Sequence, residues 1–258
     1  MKHTLLIITA LMLVVGFSPG QEPIDESTLV SKDGLYYAPG SDKPYSGESV
    51  LYYESGQKMV EGTWKDGKLD GLLTGWYENG QKSGEGTFKD GKEDGLATLW
   101  YENGQKQAEA TYKDGAKVGK WAMWYENGQK WKEGTYKNGE PDGLLTEWYE
   151  NGQEKHEESW KDGEFDGKST SWYENGQKWK EGTWKDGKLD GLLTEWYENG
   201  QKSGEGTLKD GKEDGLWTWW RENGQKHYAG TFKDGELIES TLWDEDGNMK
   251  TSPSLNWE

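Results

Sequence analysis

Residues 71–94 read GLLTGWYENGQKSGEGTFKDGKED, and this stretch of 24 residues decides the fold because close copies of it fill most of the chain. A fixed period of this length indicates one small structural unit stacked on copies of itself. We therefore expect the function to lie on the surface of the stack rather than in a single buried cleft. The period is marked by turn glycines 24 residues apart, nearly all within Tyr-Glu-Asn-Gly-Gln-Lys: Gly56, Gly80, Gly104, Gly128, Gly152, Gly176, Gly200 and Gly224.

Each unit is predicted to be one β-hairpin. The dipeptide Asn79-Gly80 accepts the two positive φ angles of a type I′ turn, whose twist suits a two-residue connection between paired strands. Centring the turn on Asn-Gly predicts these pairs on one face: Tyr77 with Lys82, Gly75 with Gly84, Leu73 with Gly86, and Gly71 with Phe88. The opposite face of the hairpin then carries Leu72, Thr74 and Trp76.

Helix is a poor alternative for these units. Each unit contains four to six glycines, which cost about 1 kcal/mol each in a helix relative to alanine, and no apolar stripe of period 3.6 appears. The loop Asp-Gly-Lys-x-Asp-Gly joins each hairpin to the next. The sequence therefore predicts an all-β fold in which tandem hairpins form an elongated, twisted, antiparallel single sheet.

The N-terminus has the pattern of a signal peptide. Lys2 precedes an apolar run from Leu5 to Val15, and small residues with a proline follow up to Gly20. This pattern predicts export to the periplasm, cell envelope or medium, with an uncleaved anchor as the alternative. The predicted organisation is a signal peptide (1–20), an extended lead-in (21–44), the repeat array (45–250) and a C-terminal tail (251–258).

Composition excludes some classes of partner and of stabilising chemistry. The chain has 48 acidic and 30 basic residues and a net charge of −18, which opposes binding to nucleic acid and to anionic lipid. It has no cysteine, so neither disulfides nor thiolate chemistry can contribute. Only 31% of residues are hydrophobic, but 17 Trp and 14 Tyr recur at regular positions, which predicts thin layers of aromatic side chains in place of a thick core.

Two aromatic columns follow from the register. We interpret both as packing along the array, with an exposed aromatic strip for a ligand as the alternative. The first column is Trp76, Trp100, Trp124, Trp148, Trp172, Trp196 and Trp220, followed one residue out of phase by Trp243. The second, which varies among large apolar groups, is Trp64, Phe88, Tyr112, Tyr136, Trp160, Trp184, Leu208 and Phe232.

A block of 40 residues is duplicated within the chain. Residues 61–100 and 181–220 are separated by 120 residues, or five units of 24. An array of this kind can change length by whole units without disturbing the fold. The two segments differ at four positions: Gly75/Glu195, Phe88/Leu208, Ala97/Trp217 and Leu99/Trp219.

The run Glu-Gly-Thr-Trp-Lys-Asp-Gly-Lys-Leu-Asp-Gly at residues 61–71 resembles the MORN repeat (membrane occupation and recognition nexus). The shorter Tyr-Glu-Asn-Gly-Gln-Lys resembles the bacterial MORN variant found in exported proteins and in antitoxins of toxin–antitoxin systems. The resemblance covers residues 45 to about 250 and implies a curved single sheet of hairpins that serves protein association and, in some members, lipid contact. It gives Gly62, Trp64, Gly67 and Gly71 the structural roles of the family motif.

The chain departs from the original repeat in ways that bear on lipid contact. Asp70 stands where the family usually has histidine, and Leu72-Leu73 stand where a further glycine is expected. Together with the acidic surface, these changes disfavour a membrane partner.

Catalytic, cofactor and metal functions are not predicted. The mature chain has only His156 and His227, which lie in different units and have no nucleophile motif beside them. We interpret both as variant strand positions. The acidic loops at 66–71 and 244–248 lack the spaced ligands and distal glutamate of an EF-hand and are interpreted as turns rather than calcium sites.

The sequence therefore predicts a non-enzymatic, exported scaffold that binds another protein, with acidic charge selecting a basic partner surface. Antitoxin-like neutralisation is a special case that rests on the resemblance. The alternatives are recognition of cell-envelope glycan or choline through exposed tryptophans, a membrane-associated module, and a spacer without a ligand.

Overall fold

The computed structural model describes residues 22–251, so the predicted signal peptide and nearly all of the predicted tail lie outside the described residues. Within that range the chain has one short 3-10 helix, Glu26–Thr28, and no α-helix. None of its helices is long and apolar enough to cross a membrane. The strands are β1 (Ile24–Asp25), β2 (Val30–Lys32), β3 (Leu35–Tyr37), β4 (Gly47–Tyr52), β5 (Lys58–Lys65), β6 (Lys68–Trp76), β7 (Lys82–Lys89), β8 (Lys92–Trp100), β9 (Lys106–Lys113), β10 (Ala116–Trp124), β11 (Lys130–Lys137), β12 (Glu140–Pro141), β13 (Gly143–Trp148), β14 (Glu154–Lys161), β15 (Glu164–Trp172), β16 (Lys178–Lys185), β17 (Lys188–Leu189), β18 (Gly191–Trp196), β19 (Lys202–Lys209), β20 (Lys212–Glu213), β21 (Gly215–Trp220), β22 (Lys226–Lys233), β23 (Glu236–Trp243) and β24 (Met249–Thr251).

One long sheet contains 22 of these strands. From β4 to β24 the pairing is antiparallel and follows the order of the chain, and β1 joins the first edge parallel to β4. The short strands β12, β17 and β20 lie in line with β13, β18 and β21, so that both members of each pair face the same preceding strand: β11, β16 or β19. The pair β2–β3 forms a separate hairpin. The predicted all-β, antiparallel single-sheet array of tandem hairpins is confirmed.

The predicted register is confirmed except next to the turn. Gly75 pairs with Gly84, Leu73 with Gly86, and Gly71 with Phe88. The predicted pair of Tyr77 with Lys82 is wrong, because a bulge after Gly75 pairs Lys82 with Trp76 instead.

The type I′ turn predicted at Asn79-Gly80 is also wrong. The Gly80 N–H donates to the Tyr77 carbonyl (2.9 Å), and the Tyr77 N–H donates to the Gln81 carbonyl (2.8 Å). Gly80 has a φ of 85°, whereas Asn79 is not among the residues with positive φ. This is a longer loop closed by a left-handed glycine. The Asn79 side chain stabilises it by accepting from the Gln81 N–H (2.9 Å) and donating to the Glu102 carbonyl of the next unit (3.0 Å).

The two consecutive positive φ angles occur instead at the Asp-Gly loop. Asp66 has a φ of 48° and Gly67 a φ of 79°, and the flanking Lys65 and Lys68 pair directly. This is the two-residue hairpin turn. It recurs at the corresponding loop of every later unit, with Asn138 in place of aspartate in one of them.

Successive units are joined by hydrogen bonds at both margins of the sheet. At one margin the Tyr77 hydroxyl donates to the Trp100 carbonyl (2.7 Å), and the same bond recurs in each unit from Tyr53 to Tyr197. Arg221 replaces tyrosine in the last unit and donates to the Trp243 carbonyl (3.0 Å). At the other margin the Gly91 N–H donates to the Leu69 carbonyl of the preceding unit (2.8 Å).

Residues 22–44, predicted as an extended lead-in, fold over the first unit. The Tyr36 ring lies 4.8 Å from the Trp64 ring, and Trp64 is only 5% exposed. The Trp64 indole N–H donates to the Ser49 hydroxyl (2.8 Å), which donates to Glu26 (2.8 Å). This segment covers the aromatic surface that a preceding unit would otherwise cover, as a capping repeat does.

Candidate functional site

The two faces of the sheet differ in how much they change along the array. On one face, which we call the constant face, directly paired residues form a row of glutamates on one strand and threonines on the next. Only two alanines interrupt it. The row is Glu61, Thr74, Glu85, Thr98, Glu109, Ala122, Glu133, Thr146, Glu157, Thr170, Glu181, Thr194, Glu205, Thr218, Ala229 and Thr241.

The opposite, variable face has no such regularity. Its directly paired row is mainly apolar and small at first, then charged and polar, then aromatic. Strands of a sheet are about 4.8 Å apart, so these three segments follow one another along the array. The row is Leu51, Val60, Gly75, Gly84, Leu99, Ala108, Met123, Lys132, Glu147, His156, Ser171, Lys180, Glu195, Gly204, Trp219, Tyr228 and Leu242.

The predicted Trp column lies on the constant face. Each of Trp76, Trp100, Trp124, Trp148, Trp172, Trp196 and Trp220 is half-buried. Lysine ammonium groups one unit earlier lie 5.2 to 5.8 Å from the ring centres of Trp76, Trp100, Trp124, Trp148, Trp196 and Trp243. The chain's own side chains therefore occupy the position that a cationic ligand would take over these rings.

The eight predicted turn glycines all have positive φ, between 80° and 85°. At Gly80 a side chain would be strained in this conformation. These glycines shape the loop at one margin of the sheet and lie outside both rows.

The apolar segment of the variable face holds two adjoining depressions. One of ≈ 250 Å³ is lined by Val60, Leu73, Gly75, Gly84, Glu85, Gly86, Phe88, Glu93, Ala97 and Leu99. The next, of ≈ 290 Å³, shares Glu93, Ala97 and Leu99 with it and extends to Tyr112, Trp121 and Met123. Glycine and alanine lie between the larger apolar and aromatic residues. An apolar surface of this form can take up apolar side chains of a partner.

The charged segment is held by ion pairs across the strands. Glu147 lies between Lys132 (3.0 Å) and Lys155 (2.8 Å). Burial would raise the pKa of Glu147, but hydrogen bonds from Lys155 and Lys132 outweigh it and lower this pKa. Lys180 and Glu195 form the next pair (2.9 Å). These charges neutralise one another within the row and leave an ordered polar surface.

Sequence reasoning missed a polar cluster in the same segment. His156 contacts the Ser171 hydroxyl through Nδ1 (2.8 Å) and Glu158 through Nε2 (2.6 Å), and the Trp160 indole N–H donates to Glu158 (2.9 Å). The signal was present, because Glu158 stands where six other units have glycine. A second signal was the small residue Ser169, which pairs with Glu158 across the strands.

The order serine, histidine and glutamate resembles a catalytic relay, but the surroundings do not complete one. The cluster lies in the interior of a continuously paired sheet, where the backbone N–H groups of an oxyanion hole are largely taken by strand pairing. Among residues 22–251 no group of three or more His, Asp or Glu side chains is arranged to hold a metal ion. The cluster satisfies the polar atoms of the 9% exposed Glu158.

The aromatic segment lies near the C-terminal end of the array. The Trp217 and Trp219 rings stack with centres 5.4 Å apart and planes at 22°, and Tyr228 lies 5.2 Å from Trp219. Two of these residues occupy positions at which the duplicated blocks differ, Ala97/Trp217 and Leu99/Trp219. The sequence marked these positions as variable, but only the structure shows that the two rings stack and that Tyr228 contacts one of them.

Comparison with known families agrees with this geometry. The family model described as MORN repeat variant matches eight consecutive segments, residues 45–66, 69–90, 93–114, 117–138, 141–162, 165–186, 189–210 and 213–234. The MORN repeat model matches residues 61–72 and 181–192. No curated protein matches the chain.

Proposed function

The chain belongs to the MORN repeat variant family, and from this premise we propose that it is an exported, non-enzymatic scaffold that binds another protein on its variable face. Repeats of this family generally mediate protein–protein or membrane interactions. The observation that carries the proposal is the contrast between the two faces. Stacking requires similar contacts in every unit, so it accounts for the constant face and gives no reason for the other face to change.

The chemistry of the variable face indicates what the partner presents. Apolar side chains of the partner fill the depressions around Leu99 and supply most of the binding energy. The ordered charges from Lys132 to Glu195 fix the orientation of the partner. The net charge of −18 attracts a basic protein from a distance, so the association rate falls as salt is added.

Two leucines of similar exposure on opposite faces allow a matched test. Leu99, on the variable face, is 49% exposed, and Leu96, on the constant face, is 53% exposed. Tagged wild-type protein and the variants L99K and L96K are expressed in the native cells, crosslinked and purified, and the retained proteins are quantified by mass spectrometry. L99K is expected to lose at least nine-tenths of one dominant partner, and L96K to retain it.

Two results contradict the proposal. Loss of the partner in L96K with retention in L99K would move the interface to the constant face. Absence of any protein at near-stoichiometric yield with the wild type would exclude a protein scaffold. Far-UV circular dichroism of both variants controls for folding, and both substitutions place lysine at an exposed strand position.

The glycan or choline alternative is the weaker one because of the contacts of the Trp column. A quaternary ammonium needs an open aromatic face, whereas lysines of the chain lie over six of these rings. Membrane contact is opposed by the net charge of −18.

Export and toxin neutralisation are parts of the proposal with separate support. Export rests on the pattern of residues 1–20, and fractionation with N-terminal sequencing tests it: a mature chain beginning near Gln21 is expected outside the cytoplasm. Neutralisation of a toxin rests on the resemblance of the repeats to antitoxins. It requires a toxic protein as the dominant partner in the purification above.

A further inference from the structure

The regular units contain a built-in ammonium site on the constant face. The Lys58 ammonium lies 2.9 Å from the Glu61 carboxylate and 5.2 Å from the centre of the Trp76 ring. The same three residue types meet in four further units, where the ammonium comes from Lys82, Lys106, Lys130 or Lys178. A carboxylate and a ring face thus hold one cation in each of these five units.

One unit keeps this frame without the cation. Glu154 stands in the lysine position, Glu157 in the glutamate position and Trp172 in the tryptophan position. The backbone is unchanged, because Glu154 pairs with Trp148 as Lys130 pairs with Trp124. The Tyr149 hydroxyl still donates to the Trp172 carbonyl (2.8 Å).

Nothing in the described part of the chain replaces the missing ammonium. Between residues 22 and 251, no lysine or arginine forms an ion pair with Glu154 or Glu157, and no ammonium lies over Trp172. Lys155 turns to Glu147 on the other face, and Lys178 and Lys168 bind Glu181. By the equivalence of the repeats, Glu154 and Glu157 take the places that a lysine and a glutamate occupy beside the ring in the five occupied units, and Trp172 takes the place of the half-buried indole.

We propose that Glu154, Glu157 and Trp172 form a binding site for the lysine side chain of a basic partner protein. The five occupied units show that a primary ammonium fits this frame, since each holds one by a hydrogen bond to glutamate and a contact with the ring. A quaternary ammonium contacts a ring equally well but cannot donate hydrogen bonds to carboxylates. The site lies opposite the variable face, so it goes beyond the proposed function and stands or falls independently of it.

The test uses Nα-acetyl-lysine amide as the probe and the full mature chain. Binding is followed by NMR through the indole N–H signal of Trp172, which W172F identifies. Millimolar concentrations of the probe are expected to shift this signal saturably and to leave the Trp100 signal unchanged, because Lys82 fills that site. The doubly acetylated, neutral lysine amide is expected to leave both signals unchanged.

Two substitutions should fill the empty site at Trp172 and empty the filled site at Trp100. E154K restores the lysine of the regular units and is expected to weaken probe binding at Trp172 roughly five- to tenfold or more. K82E empties the regular site and is expected to create a new shift at Trp100. Both changes are tolerated elsewhere in the chain, since each reproduces a residue that another unit carries at that position.

Three outcomes overturn the inference. They are no shift at Trp172, an equal shift at Trp100 in the wild type, and unchanged binding in E154K. Tetramethylammonium as a second probe distinguishes a lysine side chain from a quaternary ammonium ligand. If it binds Trp172 as tightly as the lysine amide, the commitment to a lysine side chain is wrong and a quaternary ammonium ligand replaces it.

Discussion

The duplicated blocks provide a matched pair of glycines whose substitution should have different consequences. Gly86 and Gly206 occupy the same position 120 residues apart, and neither has a positive φ. A methyl group added at Gly206 would overlap the indole ring of Trp217, whereas one added at Gly86 would lie 3.5 Å from the Ala97 side chain, an ordinary contact. We predict that G206A destabilises the protein and that G86A does not.

The size of the destabilisation follows from the contacts that Trp217 loses when its ring is displaced. This side chain is 5% exposed, and its indole N–H donates to the Thr207 carbonyl (3.0 Å). Overpacking costs about 2 kcal/mol, and loss of the hydrogen bond adds about 1 kcal/mol. Replacing glycine with alanine also lowers the conformational entropy of the unfolded chain, which offsets about 0.5 kcal/mol of this loss of stability. G206A should therefore lower the free energy of unfolding by about 2 to 3 kcal/mol.

The assay is urea unfolding followed by far-UV circular dichroism, together with hydrogen exchange of peptides covering residues 200–235. For an m value of about 3 kcal/mol per molar urea, the midpoint of G206A should fall by roughly 0.7 to 1 M. The midpoint of G86A should stay within about 0.3 M of the wild type or rise, since only the entropy gain remains. Faster exchange should be confined to the units around Trp217.

Equal midpoints for G206A and the wild type would refute this reasoning, because the ring would then move aside without loss. Equal destabilisation by both variants would refute it differently. It would show that glycine is required at this strand position for backbone reasons, independently of the residue that faces it.

Three further predictions follow from single contacts. Y149F removes the hydroxyl that donates to Trp172 in the next unit (2.8 Å) and should lower the free energy of unfolding by about 1 kcal/mol in urea titrations; no change would show that water replaces the bond. D90V places a β-branched residue at a φ of 50° and should lower the melting temperature through a loss of about 1 to 2 kcal/mol, whereas D90N should be nearly neutral. Hydrogen bonds lower the folded-state pKa of Glu147 below its ordinary 4.5, so its stabilising contribution is present above that pH and lost as the pH falls through the folded-state pKa. The difference in unfolding free energy between wild type and E147Q should therefore shrink below about pH 4.5, and a constant difference would contradict this.

Several features of the fold were predictable because they are local. The Asn-Gly and Asp-Gly dipeptides and the 24-residue period marked the hairpins, and strand alternation set Leu72, Thr74 and Trp76 on one face. The type I′ turn was assigned to the Asn-Gly loop, whereas the structure has it at the Asp-Gly loop. Both dipeptides accept positive φ, and the choice depends on contacts that the sequence does not display, such as the bond from Asn79 to the next unit.

The candidate sites were less predictable because they join residues that are distant in the chain. His156 was interpreted as a variant strand position, and only the pairing of β14 with β15 brings it to Ser171. The presence of Glu154 at a position where the regular units have lysine was visible in the repeat. Its consequence depends on Trp172, which lies 18 residues later.

The sequence by itself determined the repeat, the all-β class, the hairpin register away from the turns and the thin aromatic burial, because spacing and backbone preference act within one unit. Only the tertiary structure decided which turn has which geometry, how the first unit is capped, and which side chains of different units come into contact. Those features depend on pairing and stacking between units, where side chains about 24 residues apart come together across strands roughly 5 Å apart.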